Sequence, residues 1–229
     1  MTRSDILDEL RQPRPQLTIG TLTTDDPAAA ARILSEEGIA LLHVDIMDGT
    51  IWPKATVGPD FVADLDTDLI KDVHLLVDAP EEHIAAHAEA GAGAITFCVE
   101  YTDDIAGCLS LIEENGDHIL RGVSLNPDTP LDTIEPYLDQ IDLVFLLAIG
   151  PETGKETFFD SLPAKVAQLR DWKPELFITI DGAIKKDNVG EVAKMKPDLI
   201  ATGSAVFDGN DAAANIREMN SSIQESLSA

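Results

Sequence analysis

The chain has 229 residues, 44% of them hydrophobic, enough for one substantial core and a single domain. Only 16 Lys and Arg stand against 42 Asp and Glu, giving a formal charge of −26; such a surface repels nucleic acid, and no apolar run approaches the length of a membrane span. The acids are scattered among aliphatic residues, so they read as a solvated surface: either a chain kept soluble by self-repulsion or one adapted to high salt.

In chain order, residues 1–15 read as a polar lead, with a helix expected over 4–10 and prolines at Pro13 and Pro15. Short apolar runs then fall near 17–22, 40–46, 72–77, 94–100, 120–125, 143–149, 176–181 and 199–201. Amphipathic stretches with helical period lie between them, clearest over 26–36, 81–90, 103–114, 159–170 and 211–224. Residues 130–138 read as an ordinary helix and 221–229 as a frayed end.

Strands buried on both faces are continuously apolar, as in LVFLLAI at 143–149. Eight such strand–helix units predict an α/β fold, a closed parallel (β/α)8 TIM barrel filling residues 1–229 as a single domain. An open doubly wound sheet is the alternative, but IGTLTT after the first strand offers no GxGxxG turn. Cys98 and Cys108 are the only cysteines and have neither CxxC nor zinc-knuckle spacing. Packed thiols in a reduced, cytoplasmic protein are the expectation, since no basic start followed by an apolar signal core opens the chain.

His43, Asp45, His74 and Asp181 sit at or just inside the carboxyl ends of separate apolar runs. Loops after the strands form the reactive face of a barrel. Brought together there, two imidazoles and two carboxylates make a site for a divalent metal ion with two proton carriers. The bland alternative is a pair of satisfied core histidines and aspartates that cap helices.

The segments HVDIMDGTIWPKATVGPDFV, DVHLLVDAPEEHI, SLNPDTPL, TIDGAIKKDNV and ATGSAVF, in that order and spacing, resemble the ribulose-phosphate 3-epimerase family across nearly the whole chain. The resemblance implies a (β/α)8 barrel that interconverts D-ribulose 5-phosphate and D-xylulose 5-phosphate with a divalent ion. It maps the metal ligands onto His43, Asp45, His74 and Asp181, and the acid–base pair onto Asp45 and Asp181. Zinc is the first expectation for the ion, although Fe²⁺, Mn²⁺ and Co²⁺ suit the same ligands. It also implies a small sugar phosphate as partner, held by His74, Met47, Gly154, Gly182, Ala183, Gly203 and Ser204, and a homo-oligomer. Met47 would face the reacting carbon and shield it from water, or simply pack.

The chain departs from the family at the phosphate end. In place of the glycine-rich PGFGGQ loop stand Pro151, Glu152, Thr153, Gly154, Lys155 and Glu156. Ala183 replaces the second glycine of a pair, and the amide there is retained only if the backbone does not require positive φ. Gly20 stands for a serine, Lys54 for an asparagine, and Leu76 and Leu147 for two methionines. Lys54 and Lys155 are therefore alternative anion contacts, and a ketose phosphate other than the usual pentulose is the second reading; a non-catalytic sugar-phosphate-binding barrel is the third.

Other signals are weaker. His83 and His87 are four apart on an expected helix but lack the glutamate of HExxH, and surface histidines are the expectation. No predicted strand ends in a lysine suited to a Schiff base, and HVDIMD has Ile46 and Met47 where a related decarboxylase would need a lysine.

Overall fold

In the computed structural model, which describes residues 2–10, 15–151, 159–209 and 211–228, eight parallel strands close into a barrel in chain order. The strands are β1 (Gln16–Gly20), β2 (Leu41–Met47), β3 (Ile70–Leu76), β4 (Ala94–Cys98), β5 (Leu120–Leu125), β6 (Leu143–Leu147), β7 (Phe177–Asp181) and β8 (Leu199–Thr202), with β8 pairing back onto β1. The helices are α1 (Arg3–Leu10), α2 (Pro27–Glu36), α3 (Pro59–Asp64), α4 (Ile84–Glu89), α5 (Ile105–Asn115), α6 (Leu162–Trp172), α7 (Val189–Lys194) and α8 (Ala212–Ser228).

Period-2 alternation divides each strand between two environments. In β2, Leu42, Val44 and Ile46 join the large core between sheet and helices, while Leu41, His43, Asp45 and Met47 occupy the opposite face, inside the barrel. The lower interior is a second apolar cluster that includes Leu41, Ile70, Leu120, Phe145, Phe177 and Leu199. Each such fully buried Leu, Ile or Phe contributes about 1.5–3 kcal/mol of transfer free energy. The helices start where the sequence supplies caps: Asp26 Oδ1 accepts from the Ala29 amide ahead of Pro27, and Asp104 Oδ1 from the Gly107 amide.

The helix expected in the polar lead is α1, whose Ile6 and Leu10 are buried in the lower interior cluster, so that it plugs the amino-terminal end of the barrel. Two expectations need correction. Residues 130–138 form no α-helix; two 3₁₀ turns, Leu131–Thr133 and Glu135–Gln140, carry that crossover. Pro136 has no amide to donate and its ring would clash with the carbonyl four residues back, so an α-helix cannot run through it. The end of the chain is not frayed over 221–228, because α8 continues to Ser228 with Ile223 buried. Both cysteines are free and buried, as expected. Among the described residues no helix is long and apolar enough to cross a membrane.

Candidate active site

The segments that read HVD and DVH lie side by side. Parallel register sets His43 beside Asp72 and Asp45 beside His74, so an alternating pair of motifs places four polar side chains on one interior face. Asp181 ends β7 and reaches the same region from across the barrel, with β8 and β1 between β7 and β2.

One donor atom from each of His43, Asp45, His74 and Asp181 lies within 4.8 Å of the others. His43 Nε2 is 3.0 Å from Asp45 Oδ1, and His74 Nδ1 is 3.2 Å from that same oxygen and 3.7 Å from Asp181 Oδ2. Both imidazoles are buried, whereas the side chains of Asp45 and Asp181 keep 26% and 19% exposure; His43 lines the cavity with the two carboxylates, and His74 does not.

Electrostatics separates the two acids. Burial raises the Asp181 pKa, and the neighbouring Asp45 charge adds to it, bringing it to about 6. On Asp45 burial is outweighed by His43 and His74, and its carboxyl is held well below the usual 3.8. Burial also opposes a charge on His43, but the carboxylates of Asp45 and Asp72 prevail and raise it well above 6.5.

The donor set suits a divalent ion. Tetrahedral ligands about 2.0–2.2 Å from one centre lie about 3.3–3.6 Å apart, so the four donor atoms come into range by closing inward on an ion. The proton-sharing forced on two adjacent buried carboxylates is relieved when a dication lies between them. His43 is already oriented for the role: its Nδ1–H donates to Asp72 Oδ2 at 2.8 Å, which turns Nε2 toward the cluster.

Asp72 is the residue that sequence reasoning missed. It is fully buried inside the barrel, where the sequence pattern marks only the start of a strand. Its signal is the two-residue spacing to His74, which puts both on one face. Asp72→Asn leaves the shape but weakens control of the His43 tautomer, and is expected to lower divalent-metal affinity about 10–100-fold. Calorimetric titration with Zn²⁺ measures this; unchanged affinity would remove Asp72 from the support of the site.

A cavity of about 190 Å³ opens over the cluster, lined among others by Gly20, Asp45, Asp181, Gly182, Ala183, Gly203 and Ser204. Among the described residues the four side chains are the only such group of potential metal ligands. Residues 22–207 match the sequence model of the ribulose-phosphate 3 epimerase family. The chain belongs to this family of isomerases. Named ribulose-phosphate 3-epimerases from Bacillus subtilis (strain 168) and Escherichia coli (strain K12) are 34% and 33% identical, each aligned over 81% of this chain and covered over 88% and 85% of their own lengths. One from Mycobacterium bovis is 33% identical over 88% of this chain and 90% of its own. Among solved structures, KGPDC from Streptococcus mutans superposes with a TM-score of 0.71 at 17% identity, over 93% of this chain and 99% of that one. That likeness shows the shared fold.

The remaining residues that the epimerase family implies fall into three groups. Gly182, Ala183, Gly203 and Ser204 line the cavity. Met47 shares the interior face of β2 and its amide is held by Thr56 Oγ1 at 2.9 Å; Lys54 is exposed, and neither is among the cavity-lining residues. Gly154 and Lys155, with Glu152, lie outside the described residues.

Ala183 has φ of +56°, so alanine occupies the left-handed region that a second glycine would favour. Asn188 holds it there: its Nδ2 donates to the Ala183 carbonyl at 3.1 Å, and its Oδ1 accepts from the Lys185 amide at 2.8 Å. Relief of the left-handed strain in Ala183→Gly exceeds the added freedom of the unfolded chain, for a net gain of about 0.5–1 kcal/mol. A thermal melt should show a rise of about 1–3 °C, and an unchanged or lower midpoint would mean the turn is not strained. Gly182 has no such latitude, since at φ +103° an added Cβ would also meet Ile149 Cγ1 at 2.8 Å.

His83 and His87 are not both surface residues. His87 is buried, and its Nδ1–H donates to the His83 carbonyl at 2.8 Å; burial lowers its pKa, which favours the neutral ring.

Proposed function

We propose that the chain epimerises D-ribulose 5-phosphate and D-xylulose 5-phosphate at C3, with Asp45 and Asp181 as proton carriers. The observation that carries this reading is the convergence of two carboxylates from separate strands, β2 and β7, on one cavity in a chain of the epimerase family.

Inversion at a carbon next to a ketone needs a proton removed from one face and another delivered to the opposite face. Asp45, held as a carboxylate, takes the C3 proton on its side. Asp181 returns one on the other side and leaves the inverted carbon. In the reverse direction the roles exchange. A divalent ion held by His43, Asp45, His74 and Asp181, zinc being the first candidate and Fe²⁺, Mn²⁺ or Co²⁺ equally suited by ligand type, would polarise the substrate ketone and stabilise the planar enediolate's charge. His43 and His74, buried and in contact with the acids, fix both carboxylates relative to the substrate. Met47 on the same interior face serves as an apolar shield.

Turnover in deuterium oxide tests this: product formed through two carboxylates carries deuterium at C3. Product free of label would exclude the mechanism. A second reading, a tetrulose or hexulose phosphate as substrate, is favoured by Glu152 and Lys155 standing where the family's glycine-rich loop is expected. Relative kcat/KM across a panel of ketose phosphates decides between them. With the family come a cytoplasmic setting in carbohydrate metabolism and a homo-oligomeric state. An excess of negative charge this large argues against nucleic-acid partners.

A further inference from the structure

We propose that Lys185 is the cationic contact for the phosphate of the substrate, in a chain whose sequence over 151–156 lacks two glycines of the family's loop. The inference rests on the ketose-phosphate reading above and adds to it the residue that recognises the anion.

Lys185 is the only lysine or arginine among the described residues lining the cavity over Asp45 and Asp181. It also lines the adjoining cavity, together with Lys186, Asp187, Ser204 and Asp208, and so stands where the two meet. Its side chain is exposed and makes no hydrogen bond or ion pair with the described residues, although Asp187 and Asp208 line the same second cavity. Its neighbour Lys186, which lines the second cavity too, is already engaged by Asn215 and Glu218. In a chain with 42 acidic and 16 basic residues, an ammonium with no partner among the described residues stands out in a cavity that Asp45 and Asp181 also line.

The backbone around it narrows the role to the side chain. The Lys185 amide is already bonded to Asn188 Oδ1, and the Ile184 carbonyl accepts from Thr202 Oγ1 at 3.1 Å. The loop after β7 is thus a fixed base from which a flexible four-carbon stem carries one positive charge. Gly203 and Ser204, after β8, line the same cavity. An added Cβ at Gly203 would lie 3.0 Å from the Gly20 carbonyl oxygen, a tight contact that glycine avoids where these strand ends approach. A dianion seated here is separated from Asp45 and Asp181 by the length of the sugar, with Lys185 offsetting their repulsion.

The test uses metal-loaded full-length protein, Lys185→Ala and Lys185→Arg. Inorganic phosphate affinity is measured by calorimetry, and kcat and KM on D-ribulose 5-phosphate are compared with those on D-ribulose. Lys185→Ala should weaken phosphate binding about tenfold to a hundredfold. Its KM for the phosphorylated ketose should rise by a similar factor, more than for D-ribulose, and Lys185→Arg should recover part of the loss. Equal phosphate affinity in wild type and Lys185→Ala, or no phosphate binding by wild type, overturns the inference. Failure of the wild type to turn over any ketose phosphate would instead refute the epimerase reading, and the phosphate titration would still decide the role of Lys185.

Discussion

Asp45→Asn or Asp181→Asn lowers epimerisation of D-ribulose 5-phosphate by about 10²–10⁴-fold, the loss that follows deletion of a positioned proton carrier. Asparagine keeps the shape and one oxygen for a metal but neither accepts nor donates the C3 proton. Each variant retains one carboxylate, so slow exchange of the C3 hydrogen with solvent should persist for one epimer, without inversion, and for opposite epimers in the two variants. Metal content measured on the same samples separates loss of the carrier from loss of the ion. Near-normal turnover by either variant would mean that the proton is carried by some other group.

Removing the divalent ion should cost about as much. Charge stabilisation of several kcal/mol at the developing oxyanion corresponds to roughly 10²–10⁴ in rate, so protein dialysed against a chelator should be nearly inactive and recover on addition of Zn²⁺, Mn²⁺ or Co²⁺. Stability carries a second signature, with a definite sign. In the metal-free chain Asp181, raised to about 6 from 3.8, stabilises the fold at low pH and loses that contribution as pH rises through 6. His43, raised above 6.5, loses its contribution at higher pH still, while Asp45, depressed below 3.8, stabilises above that value and fails only in strong acid. Metal-free protein should therefore weaken from pH 5 to pH 8. The gain in Tm on adding metal should grow over the same interval, because the ligands bind the ion in their deprotonated forms. A larger metal-induced gain at pH 5 than at pH 8 would contradict the assigned ligands.

Much of this molecule can be read from its sequence, for identifiable reasons. Strands such as LVFLLAI, apolar on both faces, have no other stable home than a parallel sheet covered by helices, and eight of them close the barrel. His43, Asp45, His74 and Asp181 are legible because polar residues interrupt apolar runs at strand ends. Asp72 is not, since a buried aspartate becomes intelligible only when register sets it beneath His43. The burial of Ile6 and Leu10 depends on a vacant lower mouth of the barrel, which no local pattern announces. α3 and α7 are six residues each, too short for a helical period to stand out. The same holds for Lys185: its sequence neighbour Lys186 is tied to α8, and only the tertiary arrangement distinguishes the lysine with no partner among the described residues from the paired one.

The most direct test is diffraction from crystals grown with Zn²⁺, recorded on both sides of the zinc absorption edge. A single anomalous peak about 2.0–2.2 Å from one atom each of His43, Asp45, His74 and Asp181 is the predicted result. No peak among these side chains, or an ion held by other residues, would contradict the account.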